Sequence, residues 1–429
     1  MLAASPPAEP IFGHARTLAS DPLRTLVRWM EDYGPIVRFR VGRRVAHVVY
    51  SPDAIRRVLS DPDGIYGKDT HGYRTLRLFV GDGLLTSEGT QWKNQRRALA
   101  PAFHRQSVAK QVRVMSEVAT AWAAELARAK EPVAIDEITM RTTLEIVTRC
   151  LFGTDLKGDA SEIAQAIGDL QVCANRRITA PFTLPFAIPT PEHLRIRRAR
   201  ARLRGLLERL VLARRKRGPS EEPDAIDLLL ATNESDEVIL DELVTLLVAG
   251  HESTANALTW ALVLLASHPR ELAVVREELD GKPQGATELP CLRAAIDETM
   301  RLYPPAWSFG RAPRRADVLA GCEIPAGGLV MIVPWATHRD RTIFPQPEAF
   351  DPRRFRDGSP PPFAFLPFGG GPRTCIGHAF ARVEMQVVLA TWLRVLDFEL
   401  VAGQDLTPRP LITLRPRDGL RFRVRPREN

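Results

Sequence analysis

Cys375 lies in the stretch Phe368-Gly369-Gly370-Gly371-Pro372-Arg373-Thr374-Cys375-Ile376-Gly377, which runs straight into an apolar helical pattern. Three consecutive glycines free the backbone from Cβ sterics, so the loop can turn tightly and approach a flat object closely. A helix mouth favours anions, and that setting is expected to depress the pKa of a thiol. A thiolate on a tight loop can ligate haem iron, pushing electron density onto it and favouring O–O cleavage. The plainer reading of one cysteine beside a glycine run is a buried small hydrophobe. A second group, Ala249-Gly250-His251-Glu252-Ser253-Thr254, falls inside a pattern over 241–267 that is apolar on nearly all sides and predicts a central buried helix. An acid and hydroxyls there are costly unless paired or functional. Gly250 and a hydroxyl competing for backbone carbonyls would together permit a local kink or widened turn. Trp92 and Arg96, four apart, share a helix face and make a grip for a carboxylate. Glu298 and Arg301 share another face before Pro304-Pro305 ends their helix.

Phe368, Gly371, Arg373, Cys375 and Gly377 fit the pattern F-x-x-G-x-R-x-C-x-G, which resembles the haem-binding loop of the cytochromes P450, the haem-thiolate monooxygenases. Residues 249–254 resemble that family's oxygen-binding helix, A-G-x-(D/E)-T, with one departure. Ser253 stands where relatives carry threonine, and Thr254 follows. Serine keeps the hydroxyl but loses the methyl that restricts its rotamer. Glu298 and Arg301, with Arg354 from Phe350-Asp351-Pro352-Arg353-Arg354-Phe355, resemble the family's buried salt-bridge network.

The resemblance implies a mainly α, triangular helical domain with a small β region, spanning 1–429 as one domain. It makes Cys375 the axial ligand of haem b and puts Trp92, Arg96, Arg311 and Arg373 on the propionates, with Arg314 or Arg315 as substitutes for Arg311. Glu252, Ser253 and Thr254 would relay protons. Ala249, Phe309, Leu411 and Ile412, with Trp307 and Ser308, would line the substrate pocket. The implied reaction inserts one oxygen atom from O2 into a hydrophobic small molecule such as a terpenoid, fatty acid, steroid or polyketide. Electrons would come from a separate ferredoxin or flavodoxin with its reductase, meeting a face that carries Arg96, Arg97, Arg353 and Arg382. The rivals are a haem-thiolate peroxygenase or isomerase, against which Glu252-Ser253 argues, and a haem-binding sensor, for which no output domain is visible.

The elements that must position these residues follow from pattern and composition. No linker, repeat or low-complexity block divides the 429 residues. Residues 1–12 hold no apolar run near the ~20 needed to span a bilayer, so a cytoplasmic monomer without a transmembrane anchor is expected. Five scattered cysteines suggest neither zinc nor disulfides. The net charge of +8 is spread over amphipathic helices rather than gathered in an aromatic-interleaved patch. That favours an acidic protein partner over nucleic acid. A hairpin is expected from Ile36–Val41 and Val45–Val49 around 42–44, and a short helix from Pro52 to Leu59. An irregular connector covers Tyr66–Thr86, a helix opens at Gln91 and continues past Pro101, and helical pattern fills Val108–Phe152. Pro181, Pro185, Pro189 and Pro191, among Phe182, Leu184, Phe186 and Ile188, resemble a mobile lid, with membrane grazing as the alternative. A very basic helix restarts near Glu192. Leu329–Val333 suggests a small sheet, and Leu411–Leu414 with Leu420–Val424 a hairpin about Asp418-Gly419.

Overall fold

Ser235 opens the helix around which the rest of the chain packs. Its hydroxyl accepts the Val238 N–H, Asp236 and Glu237 fill the first turn, and the helix runs Asp236–Ser267 in the computed structural model. The structure describes residues 2–428 apart from 43, 156–157, 159, 181–182 and 284–287. Arg43 of the expected turn and Pro181 and Phe182 of the expected lid therefore lie outside the described residues. The helix starts five residues before the expected 241, because its cap lies in the polar stretch ahead of the apolar pattern. Leu243, Leu247, Leu258, Trp260 and Val263 are all buried on it, which encloses it on every side. No kink appears. The hydroxyls of Ser253 and Thr254 donate to the Ala249 and Gly250 carbonyls at 2.8 and 3.2 Å, leaving the helix unbroken. Gly250 instead serves close packing: a Cβ there would meet Val147 of the helix Ile135–Leu151 at 3.3 Å.

The helices Ile135–Leu151, Pro290–Leu302 and His378–Val395 surround the central one, and Pro191–Arg217 lies over its first half. A five-stranded sheet takes the order Ile36–Val41, Arg44–Val49, Leu329–Ile332, Phe309–Pro313, Tyr66–Gly67, with the second and third strands parallel. The last pairing sets Gly67 opposite Ala312, which brings Lys68 to the side of Arg311.

Several expectations are corrected. The connector 66–86 contains a helix, His71–Val80, capped by the Thr70 hydroxyl. The helix begun at Gly89 stops at Leu99, and the 3₁₀ turn Ala100–Phe103 around Pro101 separates it from Arg105–Leu126. The pattern over 108–152 is two helices, broken after Leu126 by a segment containing Pro132 and the short strand Val133–Ala134. The hairpin about Asp418-Gly419 does not form. Leu414–Pro416 pairs with Pro408–Pro410, while Arg421–Pro426 joins Leu396–Leu400 and Val133–Ala134 in another sheet.

The turn after Val80 is tied to the central helix, with the Asp82 and Leu84 amides donating to Asp241 and Glu242 at 2.8 and 3.0 Å. Burial, reinforced by Asp241, Asp82 and Glu234, pushes the Glu242 carboxyl up to about 8. A carboxyl raised in the folded state costs stability as pH climbs from its unfolded value near 4.5 to its folded value near 8. Glu242→Gln keeps an acceptor for the Leu84 amide and removes the ionisation. Its thermal stability should equal the parent's at pH 4.5 and exceed it by roughly 3 kcal/mol at pH 7. Parallel melting curves across pH that show no widening gap would refute this.

Candidate active site

The cysteine loop is built on glycine. Gly371 has φ +67°, and a Cβ there would lie 2.0 Å from the Leu59 carbonyl, so only glycine lets the loop rest on the helix Pro52–Ser60. The Cys375 amide donates to the Phe368 carbonyl at 2.9 Å, closing the turn before the helix His378–Val395. Protein surrounds the Cys375 side chain deeply, yet the residue's own surface is uncovered. Burial pushes the thiol up, and the Gly377 amide and Arg96 only partly oppose this. The protein groups alone therefore do not depress the thiol as the sequence suggested. A metal cation on Sγ is the kind of partner that would deprotonate it outright.

Beside the thiol stands a wall of cations. Arg373 lies over the Trp92 ring at 4.3 Å and Arg96 at 5.8 Å on the same indole. Arg311 is buried, donates to the Tyr73 hydroxyl at 3.3 Å, and sits with Lys68, whose ammonium donates to the Leu85 carbonyl at 2.6 Å. Burial first, then Arg311 and Arg373, hold the Lys68 ammonium well below the lysine range, and burial with Arg311 brings Arg373 to about 10. Glu88 is the one carboxylate among the groups acting on Lys68. So many cations turned inward call for further negative charge, which two carboxylates of a flat macrocycle would supply. The glycine cradle, the uncovered thiol and this wall fit haem. Arg311 stands in this wall, whereas Arg314, one of its two expected substitutes, bonds the Gly64 carbonyl and pairs with Glu88. Lys68 and Tyr73 were missed by sequence reasoning, because only the Gly67–Ala312 pairing makes them neighbours of Arg311.

On the central helix, Glu252 is buried and its Oε1 accepts the Thr413 hydroxyl at 2.7 Å, while Thr413 accepts from the Asn256 amide at 3.2 Å. Burial raises the Glu252 carboxyl against the pull of Thr413 and Arg415. Because Oε1 is an acceptor, a neutral Glu252 carries its proton on Oε2. Ser253 stands apart from this trio, its hydroxyl bonding the Ala249 carbonyl. Thr254 points a third way, toward Glu384 of the cysteine helix, a fully buried acid raised well above its ordinary range, neither oxygen of which has an aligned hydrogen bond among the described residues. The acid and hydroxyls that the sequence grouped thus serve three environments. Of the pocket candidates, Ala249 is uncovered on the helix, and Phe309 and Ile412 are half-buried. Leu411 is buried, its carbonyl accepting the Trp307 indole N–H at 2.7 Å.

Beneath the loop, Arg301 is fully buried and every one of its donors is used. Nε and Nη2 grip Glu298 at 2.7 and 2.9 Å, Nη1 reaches the His338 and Pro347 carbonyls, and Nη2 also reaches Ala349. Arg354 completes the trio, with Nε 3.4 Å from Glu298. His338 carries the link onward: its Nδ1–H donates to the Arg301 carbonyl and its Nε2 accepts the Leu366 amide at 2.8 Å, two residues before the cysteine loop. Those bonds require neutral imidazole, and burial beside Arg301 lowers its pKa to about 3.

A cysteine on a glycine cradle, a cationic wall for carboxylates and a buried acid on an enclosed central helix define a haem-thiolate oxygenase. The family model for cytochrome P450 matches residues 4–420. Cyclooctatin synthase of Streptomyces melanosporofaciens is 31% identical, covering 96% of this chain and 93% of its own. Human cytochrome P450 4F8 is 32% identical over 93% of this chain and 83% of its own. Cyclooctat-9-en-7-ol 5-monooxygenase, also of S. melanosporofaciens, is 31% identical over 90% of this chain and 87% of its own. The chain belongs to the cytochrome P450 family. It is a haem-dependent monooxygenase acting on hydrophobic molecules, and the family binds haem b through a cysteine thiolate.

Proposed function

We propose that the chain works as one unit in which Cys375 ligates haem b while Trp92, Arg96, Arg311, Arg373 and Lys68 hold its propionates, Phe368 and Gly377 shaping the loop. The convergence of those cations beside the uncovered thiol carries this reading. When bound, the haem supplies the oxygen chemistry. Glu252 holds a proton at Oε2, Ser253 supplies a hydroxyl on the next residue, and Thr254 orients beside Glu384. Ala249, Phe309, Leu411 and Ile412 offer apolar surface, which suits a terpenoid or fatty-acyl substrate. One relative's name denotes a cyclic alkenol as substrate, and we extend that class to this chain.

Electrons come from a separate ferredoxin or flavodoxin with a reductase, to a monomer in the cytoplasm. No single helix among the described residues is long and apolar enough to cross a membrane. The docking face expected from sequence needs revision. Arg382 is bound to Asp297 and Arg353 to Asp351, and Arg96 turns inward toward Cys375, so Arg97 and its neighbour Lys93 are the exposed cations left for an acidic donor.

The dithionite-reduced protein under carbon monoxide should give the strongly red-shifted Soret band of thiolate ligation, and Cys375→His should move it to the position seen with histidine. With O2 and a ferredoxin–reductase pair, product should form from an apolar substrate found by spin-state shift. An unshifted band, or turnover with peroxide alone, would overturn the assignment.

A further inference from the structure

Thr142, Thr143, Thr254, Thr259 and Thr299 are buried on helices, and each turns its hydroxyl back onto the carbonyl four residues earlier. Thr75, on the helix His71–Val80, does not. It is 5% exposed, and its hydroxyl makes no hydrogen bond among the described residues. Gln171, 6% exposed on the helix Ala160–Thr179, likewise leaves its amide without a protein partner among them. Polar groups buried in this way cost free energy until something satisfies them. Neither tip is among the fully enclosed polar atoms, so each keeps surface that a ligand atom can reach. A third unpartnered hydroxyl, Thr245, is wholly enclosed against Gly83 and takes no part.

The two side chains stand level with each other. Their helices pack together, and contacts at either end fix an antiparallel course. At one end the His71 Nε2–H donates to the Arg177 carbonyl at 3.2 Å. At the other, the Asp82 amide and Arg204 share Asp241, while Arg202, beside Arg204 on the helix Pro191–Arg217, reaches Glu162 at 3.7 Å. At a rise of 1.5 Å per residue, Thr75 lies about 6 Å along from His71 and Gln171 about 9 Å back from Arg177, a mismatch of only about 3 Å. Phe79 and Ala174, each about one turn further along, are buried in one apolar cluster. The same wall adjoins the surface assigned to substrate, because Gly83 meets Thr245 one turn before Ala249 on the central helix.

We propose that Thr75 and Gln171 form a subsite for a neutral oxygen function, a hydroxyl above all, on an otherwise apolar substrate. The inference rests on the reading of the chain as a monooxygenase of hydrophobic molecules. An amide and a hydroxyl each offer a donor and an acceptor, which complements an alcohol that itself donates and accepts. Arg177, the buried cation of the same helix, is turned to His193 and the Leu184 carbonyl. The subsite therefore holds no counter-charge for a carboxylate. A site built to hydrogen-bond an oxygen discriminates against the molecule that lacks it, since its polar groups are then left unpaired. The chain then acts after a step that has already placed oxygen on the skeleton.

The test is titration of the haem-loaded full chain with β-farnesene, farnesol and farnesoic acid, which share one skeleton, read by calorimetry and by spin-state shift. Farnesol should bind about tenfold tighter than farnesene, the size expected of one or two neutral hydrogen bonds, and tighter than the ionised acid. Thr75→Val and Gln171→Met should each weaken farnesol about threefold, and the double variant about tenfold, with farnesene unaffected. Without ligand, the variants' melting temperatures should equal or exceed the parent's, because no protein hydrogen bond is lost. A lowered melting temperature would mean a protein partner had been removed, and would overturn the proposal. So would failure to bind farnesol, equal weakening of farnesene and farnesol, or tighter binding of the acid. An unshifted carbon monoxide band with farnesol still preferred by calorimetry would remove the monooxygenase reading and leave the subsite standing.

Discussion

Glu298→Gln is expected to destabilise the protein by about 3–5 kcal/mol, the cost of leaving a buried charge without its partner. Arg301 is fully buried and bonded in a fork to Glu298, so losing the carboxylate strands a guanidinium where water cannot reach it. Glu298 Oε1 also accepts the Asp351 amide at 2.9 Å, and glutamine can satisfy that acceptor role only by turning its NH2 toward Arg301. Arg301→Lys should cost a similar amount for a different reason. An ammonium has three N–H donors, and the guanidinium uses its full set of five on Glu298 and three carbonyls. Because His338 passes the position of Arg301 to Leu366, both variants should also retain less haem after gel filtration. Urea unfolding is the deciding measurement. A loss under 1 kcal/mol for either variant would mean the network is dispensable.

Glu252→Gln is expected to lower product formation by 10²-fold or more, within the range for removal of a positioned acid, while substrate still binds with its spin-state shift. The amide can accept from Thr413 as the carboxyl does, so the fold around Asn256 should hold and the melting temperature should move little. What disappears is the proton on Oε2. Reduced cofactor consumed per product should rise, and the solvent isotope effect on turnover should change. Thr413→Val should act in the same direction but more weakly, since it removes only the group that orients Glu252. Wild-type turnover by Glu252→Gln would remove this acid from the reaction.

What was legible in the sequence was whatever lay within one element. Cys375, Glu252 and the Glu298–Arg301 pair were readable because their spacing is fixed by a single loop or helix. Contacts that depend on strand pairing were not. Lys68 meets Arg311 only through the register of two short strands, and Thr413 reaches Glu252 across 161 residues. The turn signal at Asp418-Gly419 was real but weak, because Arg421–Pro426 gains more from pairing with Leu396–Leu400 than from folding back locally. Pro132 could have split the 108–152 pattern, and the Thr70 hydroxyl could have announced the helix at His71. The basic helix was noticed, but its weight appears only when its net +9, eleven lysines and arginines less two glutamates, is set against the +8 of the whole chain.

The bonds of Arg301 also bear on the order of folding. Its carbonyl acceptors lie 37, 46 and 48 residues further along the chain, so each of these bonds forms only once a loop of that length has closed. The cysteine loop hangs from this knot through His338 and Leu366. Helices can form within microseconds from their own sequences, whereas the cradle waits on distant segments finding one another. Refolding chain should therefore regain its helical signal first and become competent to capture cofactor later, by an interval that Glu298→Gln lengthens.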